Sequence, residues 1–355
     1  MSVFRRSERT TLIVAGVATV LSGVFHVIVI APIVIFVVSG LALAVLATLI
    51  GQAIDQLGQR LSAGATGVLQ SALGNLPELF IGIFSLRAGL VALVQAALIG
   101  SVLANSLLVL GLALFIGGIK NGTQHFQAEA PRAITTLTLL AVAALIVPTL
   151  AVDLKTPAAA HASALSIACA LLLLVVFAAS IPFSLSGGAT SVPLEAEDPQ
   201  FPAWSISLTV GILLAAGIAA AFVSEWFVDS LTPTIQLLHI SQTFTGLVIV
   251  AIAGNAVENV VGVRLAAANK SDYALSIILN SSLQVALGLT PVLVIISFLV
   301  GGAALTLVLP PMLLVVLGLA AVLGLIAVFD GESNWLEGVA LMGLYGIIGA
   351  AFWWG

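Results

Sequence analysis

Gly74-Asn75-Leu76-Pro77-Glu78 recurs as Gly254-Asn255-Ala256-Val257-Glu258, with the glycine, asparagine and glutamate each 180 positions apart. Both copies sit inside long apolar stretches that read as membrane-spanning. A carboxylate at that depth is costly and by default marks an ion or substrate path. Two of them at matched positions point to a transporter of two related halves, with a cation site where the halves meet. The correspondence runs on: Ser101, in Gly100-Ser101-Val102-Leu103-Ala104-Asn105-Ser106, matches Ser281, in Asn280-Ser281-Ser282-Leu283-Gln284, at the same 180-residue offset. On a helix Asn75 and Glu78 share a face, as do Asn255 and Glu258, Ser101 and Asn105, and Ser281 and Gln284.

The composition agrees. Of 355 residues, 61% are hydrophobic and 7% charged, with 33 glycines. Soluble domains carry about 25% charged residues, so a water-soluble fold is excluded, and the glycines suit close helix packing in lipid. The one cysteine, Cys169, forms no internal disulfide and no thiolate metal cluster. A net charge of -5 without a basic cluster gives no reason to expect nucleic acid. Arg5, Arg6 and Arg9 before the first apolar run resemble a signal-peptide n-region, but no convincing cleavage site follows, so that run is read as a retained span.

Apolar blocks between polar interruptions predict an all-α polytopic membrane protein of eleven transmembrane helices, near 11–29, 31–53, 62–86, 90–117, 132–151, 158–182, 204–228, 242–268, 272–299, 303–328 and 334–354. A cytoplasmic amino terminus puts Arg5, Arg6, Arg9, Arg60, Lys120, Arg132, Arg264 and Lys270 inside and Arg87 and Lys155 outside, as the positive-inside rule asks. The longest polar interruption contains Gly187-Gly188 and the acids Glu195, Glu197 and Asp198. The expected organisation is an extra N-terminal helix over 1–30, a first five-helix repeat over 31–183, an acidic cytoplasmic linker over 184–203 and a second five-helix repeat over 204–355. An odd number of spans per repeat makes the repeats inverted, the geometry of alternating access.

Carboxylates, side-chain carbonyls and waters suit a hard divalent ion such as calcium, whereas imidazole and thiolate, which favour zinc or copper, are absent from the pattern. Two carboxylates offset a charge of +2. With the cation gone, at least one of two poorly solvated, repelling charges should take up a proton, so metal and proton compete for the same oxygens. The candidate metal ligands are Glu78, Glu258, Asn75, Asn255, Ser101, Ser281, Asn105 and Gln284. Pro77 beside Gly74 predicts a break that offers the Leu73 or Gly74 carbonyl, with a simple packing kink as the alternative. The second copy has no proline, which leaves a symmetric break open.

Asp55, near the inner end of its span, and Glu225 and Asp229, near the outer end of theirs, are weaker candidates for staging ions or protons; helix-end acids are common. Glu337 reads as structural, and His125 and Glu129 as surface. His161 and His239 are not placed like a central proton relay, and Trp335, Trp353 and Trp354 read as interface anchors. The expected partners are membrane lipid, a divalent cation and protons. Ca2+ and H+ are cargo, with no resident cofactor and no enzymatic activity, and a homo-oligomer stays open. A cation channel using the same carboxylates is the competing reading; a scaffold without transport fits the paired polar positions poorly.

The paired motifs resemble those of the calcium/cation–proton antiporters of the cation/calcium exchanger superfamily. The first runs from Gly74-Asn75-Leu76-Pro77-Glu78-Leu79-Phe80 through Ser85-Leu86-Arg87-Ala88-Gly89 to Gln95-Ala96-Ala97-Leu98-Ile99-Gly100-Ser101 and Asn105-Ser106-Leu107-Leu108-Val109-Leu110-Gly111. The second runs from Gly254-Asn255-Ala256-Val257-Glu258 to Asn280-Ser281-Ser282-Leu283-Gln284-Val285-Ala286 and Thr290-Pro291. The resemblance implies eleven helices in the cell (inner) membrane, Ca2+ export driven by inward proton movement, and a site centred on Glu78 and Glu258. It makes Asn75, Asn255, Ser101, Ser281, Asn105 and Gln284 ligands or hydrogen-bonded support. The family commonly has histidine after the second motif glutamate, where this chain has Asn259. Asparagine does not change charge near neutral pH, so proton coupling must rest on carboxylates; this departure keeps transport of another cation and Na+-coupled Ca2+ exchange open.

Overall fold

The structure, a computed structural model, describes residues 4–28, 30–58, 60, 69, 73–186 and 204–354. From residue 187 on, the expected acidic linker with Gly187, Gly188, Glu195, Glu197 and Asp198 lies outside the described residues, as do most of residues 61–72 of an expected span. The helices are α1 (Arg6–Val27), α2 (Pro32–Gly58), α3 (Leu76–Arg87), α4 (Val91–Asn121), α5 (Glu129–Asp153), α6 (Ala162–Ser186), α7 (Ile206–Leu238), α8 (Gln242–Gly254), α9 (Ala256–Ala267), α10 (Ser271–Ser297), α11 (Pro311–Ala327) and α12 (Trp335–Ala351). Strands β1 (Gln124–His125) and β2 (Glu332–Ser333) pair antiparallel, with Gln124 opposite Ser333 and His125 opposite Glu332.

The helix boundaries follow local chemistry. Pro32 opens α2, where its missing N–H is not needed. Ser205 and Ser241 cap α7 and α8 by accepting the Leu208 and Phe244 amides at 3.3 and 2.9 Å, and Asn334 caps α12.

The structure corrects the expectation of eleven spanning helices. Among the described residues seven helices are long and apolar enough to cross a membrane, and eight if α8 and α9, bent by 63° at their junction, count as one span. α3 has 12 residues and α11 and α12 have 17 each, short of the roughly 20 that a hydrocarbon core asks for. Residues 304–310 of the expected span 303–328 are not helical. Pro310 and Pro311 account for that boundary, because a residue before proline is pushed out of the helical region.

The described chain forms two compact units, one of residues 4–88 with 204–239 and one of 89–186 with 240–354. In the first, α2 packs along α7, and α1 and α3 lie against this pair. Ser22 and Ser39 share a buried 2.5 Å hydrogen bond between α1 and α2, and Phe36 stacks on Phe227 at 4.8 Å. Glu8, 7% exposed, receives the Arg5 amide at 2.8 Å, Gln56 Nε2 at 3.0 Å and Trp204 Nε1 at 3.2 Å. The first charged cluster of the chain, which resembles an n-region in sequence, thus supplies a buried acceptor that fastens α1 to α2 and to the start of α7.

In the second unit, α4 crosses α8 at very short range. A Cβ on Gly100 would collide with the Leu247 carbonyl and lie 2.6 Å from its Cα, while one on Gly246 would collide with the Leu93 carbonyl and lie 2.9 Å from Ala96 Cβ. α12 meets the later part of α4 in the same manner, where a Cβ on Gly338 would lie 2.5 Å from the Gly111 carbonyl oxygen. Glycine on both partners is what lets the backbones meet.

The non-helical residues 304–310 run through this unit with Leu305, Leu307 and Leu309 buried. Their backbone groups bond to side chains of four other segments. Leu305 N–H donates to Ser297 Oγ, Leu307 N–H to Ser166 Oγ and Leu309 N–H to Thr149 Oγ1. Thr149 donates to the Leu307 carbonyl, and Gln95 Nε2 to those of Thr306 and Val308. Irregular backbone inside an apolar protein persists only where such partners exist.

Candidate functional site

Both copies of the repeated motif fold alike locally. Asn75 flanks the start of α3 at φ -95 and ψ 20, and Asn255 flanks the start of α9 at φ -95 and ψ 18. The carbonyl of each accepts the amide four residues on, Leu79 at 2.9 Å and Asn259 at 3.0 Å. The break does not need proline, since the second copy breaks at the same position. In the first copy Pro77 falls in the opening turn of α3, where it is tolerated.

The break puts Glu78 and Glu258 three residues into their helices, at the positive end of the helix dipole, which favours negative charge. Glu78 is 9% exposed, and Glu258 is half-buried. Glu78 belongs to the first unit and Glu258 to the second.

Within the second unit the structure brings Ser101, Asn105, Asn255 and Ser281 together. Asn255, 1% exposed, donates through Nδ2 to Ser101 Oγ at 3.0 Å and to the Ala251 carbonyl at 2.9 Å. Its Oδ1 accepts from Asn105 Nδ2 at 3.0 Å and Ser281 Oγ at 3.1 Å. A side-chain amide has two donors and two acceptor sites, so Asn255 is saturated and acts as the hub. Asn105 Nδ2 also donates to Ser281 Oγ at 2.9 Å. Asn105 Oδ1, in a residue 0% exposed, has no hydrogen-bond partner among the described residues. An unpaired buried acceptor is costly unless a cation, proton or water completes it.

This cluster is built where helices depart from the regular i→i+4 pattern. α4 widens into a π turn over Ala104–Val109, which contains Asn105, and α10 does so over Val285–Leu289, directly after Gln284. α8 does so over Thr245–Val250, just before Asn255. Single π turns of this kind gather at functional sites. Sequence reading missed them, and it also missed the buried Ser106–Ser282 contact at 3.2 Å; both serines stand beside residues singled out for other reasons.

Asn75 makes no side-chain cap on α3, and Gln284 is half-buried. Asp55, Glu225 and Asp229 belong to the first unit and are exposed. Asp229 lies 3.9 Å from His26, a partner the sequence did not suggest. Glu337 accepts from Ser333 and Asn334 at the start of α12, which is structural. His125 is exposed and 3.7 Å from Glu332. No group of three His, Cys, Asp or Glu side chains arranged for metal binding occurs among the described residues.

A protein-family model described as Sodium/calcium exchanger protein matches residues 31–186 and 208–354. The chain is 32% identical over 348 residues to the Ca(2+)/H(+) antiporter of Synechocystis sp., covering 90% of each. It is 34% identical over 326 residues to the Ca(2+)/H(+) antiporter ChaA of Bacillus subtilis, covering 90% of this chain and 92% of that protein. Among solved structures, native YfkE matches with a TM-score of 0.81 at 31% identity, over 97% of this chain and 99% of that one.

Proposed function

We propose a mechanism that starts from family membership: this chain belongs to the sodium/calcium exchanger protein family. It is a multi-pass membrane protein and a secondary active antiporter that exchanges Ca2+ for H+. Glu78 and Glu258 carry the charge in both halves of the cycle. When Ca2+ is bound, both are ionised; when it leaves, protons replace it, because an uncompensated carboxylate in a water-poor setting is unstable. The helix dipoles at the starts of α3 and α9 stabilise the ionised state that receives the metal. Ser101, Asn105, Asn255 and Ser281 hold the second glutamate's helix in place and supply neutral oxygens, with Asn105 Oδ1 the acceptor open to the cation or to its water. Asn75, at the start of the helix bearing Glu78, and Gln284, directly before the π turn of α10, are the further candidate oxygens. Asn259 does not titrate, so coupling rests on the glutamates alone.

The observation that carries this reading is the Ser101–Asn105–Asn255–Ser281 cluster, assembled from both copies of the repeat at the start of the helix bearing Glu258. The organisation into related halves joined by the acidic segment is part of the same proposal. So is a cytoplasmic amino terminus, argued from Arg5, Arg6 and Arg9 at the start of α1, before the first apolar run. The test is Ca2+ uptake by purified protein in proteoliposomes under an imposed proton gradient. Glu78→Gln and Glu258→Gln should each abolish uphill uptake while the protein stays folded. Near wild-type transport by either variant removes that residue from the site, and Ca2+ flux that only dissipates its own gradient makes the protein a channel.

A further inference from the structure

The last helix, α12, runs beside α8, although neither its sequence nor the motifs connect it to the site. The start of α8 is fastened to its end: Ser241 Oγ donates to the Phe352 carbonyl at 2.6 Å, Ser241 N–H to that of Trp353 at 3.1 Å, and Phe244 packs on Trp353 at 4.7 Å. Further along, Gly349 faces Val248 and Phe244. Next comes Tyr345, 5% exposed, whose hydroxyl lies 3.4 Å from the Leu247 carbonyl.

Leu247 is in the π turn. The Ala251 amide, which in a regular helix would take the Leu247 carbonyl, goes instead to those of Gly246 and Val248. The same Leu247 backbone is pressed against Gly100, whose neighbour Ser101 accepts from Asn255 Nδ2. Ala251 in turn takes both the amide and the side chain of Asn255 on its carbonyl, at 3.2 and 2.9 Å. The registration of Asn255 therefore passes through a widened turn with one displaced carbonyl, and a single buried hydroxyl from another helix meets that carbonyl.

We propose that Tyr345 is a positioning residue for Ca2+ binding: its hydroxyl holds the Leu247 carbonyl and thereby fixes the π turn of α8 that delivers Asn255 to Ser101, Asn105 and Ser281. The inference rests on the reading of that cluster as the cation site. Tyr345 touches no ion; it acts through Leu247 and Ala251. The ring fills space and the hydroxyl sets geometry, so the two contributions separate in Tyr345→Phe, which removes one oxygen and retains the packing.

The experiment measures Ca2+ dependence of transport in proteoliposomes, together with thermal unfolding, for the wild type, Tyr345→Phe, a Tyr345→4-aminophenylalanine variant that keeps a donor, and Glu258→Gln. Tyr345→Phe should raise the Ca2+ concentration for half-maximal transport about three- to tenfold, the range set by one net hydrogen bond. Its maximal rate and unfolding midpoint should stay close to wild type, and the amino variant should recover most of the affinity. Unchanged Ca2+ dependence in Tyr345→Phe, with Glu258→Gln inactive, overturns the inference alone; active Glu258→Gln overturns the site reading beneath it. If Tyr345→Phe unfolds early and the amino variant does not restore affinity, the residue is structural and the proposal is wrong.

Discussion

Asn105 donates to the Asn255 side-chain oxygen at 3.0 Å while its own Oδ1 stays buried without a hydrogen-bond partner among the described residues. One amide is saturated and the other is half-used, although both are candidate ligands in the sequence. That asymmetry divides the roles: Asn255 organises and Asn105 offers an acceptor.

Asn255→Ala should therefore damage structure and transport together. It strands the Asn105 and Ser101 partners at a buried position, a loss of about 2–4 kcal/mol. Thermal unfolding of detergent-purified protein should come earlier, and Ca2+ uptake should fall to background. Asn105→Ala should lower the midpoint less and raise the Ca2+ requirement about tenfold, consistent with losing one ligand and two donated bonds. Equal effects of the two substitutions on the unfolding midpoint would contradict the division.

The proposed competition between protons and Ca2+ at the motif glutamates fixes the sign of the pH response. Protonating the motif glutamates removes the negative charge that attracts Ca2+, so the half-saturating Ca2+ concentration should rise as pH falls. The slope is bounded at about tenfold per pH unit for each proton displaced. Equilibrium Ca2+ binding from mildly acidic to mildly alkaline pH reads it directly, and a flat dependence excludes shared oxygens.

Gly100→Ala places a methyl group into the Leu247 backbone. Neither side can yield cheaply, so helices α4 and α8 must separate, at about 2 kcal/mol or more. At Gly51, in α2, an added methyl group would meet nothing within 4 Å, and Gly51→Ala should be neutral or slightly stabilising, by up to about 1 kcal/mol. Unfolding midpoints of the pair test this. Matching midpoints would mean that the close crossing carries no constraint.

Glu8→Ala separates scaffold from site. It leaves the Arg5 amide, Gln56 and Trp204 Nε1 without their acceptor, a loss of about 1–3 kcal/mol. Unfolding should come earlier, with the Ca2+ requirement unchanged. A shifted Ca2+ dependence would show that this cluster communicates with transport.

Much of the candidate site is legible in the sequence because the chain states it twice. The 180-residue offset selects Asn75, Glu78, Asn255, Glu258, Ser101 and Ser281 without any geometry, and four of the eight candidate ligands meet in one hydrogen-bonded cluster. The break at Asn255 stays open on sequence alone, because proline is the visible signal for a break and the second copy lacks it. Span counting fails for a different reason. Hydropathy reports that residues 303–328 are apolar, but it cannot report that 304–310 find their hydrogen-bond partners on Thr149, Ser166, Gln95 and Ser297. In sequence those residues look like ordinary polar interruptions within other helices. Likewise Glu8 reads as a common terminal charge until Trp204, 196 positions away, is placed beside it.

The non-helical passage at 304–310 bears on how the protein is made. A helix leaving the insertion machinery already satisfies its own backbone, whatever its neighbours are doing. This passage cannot, because the Leu307 and Leu309 amides depend on hydroxyls borne by helices synthesised long before it. It reaches its final form only once those helices stand around it, so a lesion at Thr149 or Ser166 would show first as a failure of late maturation.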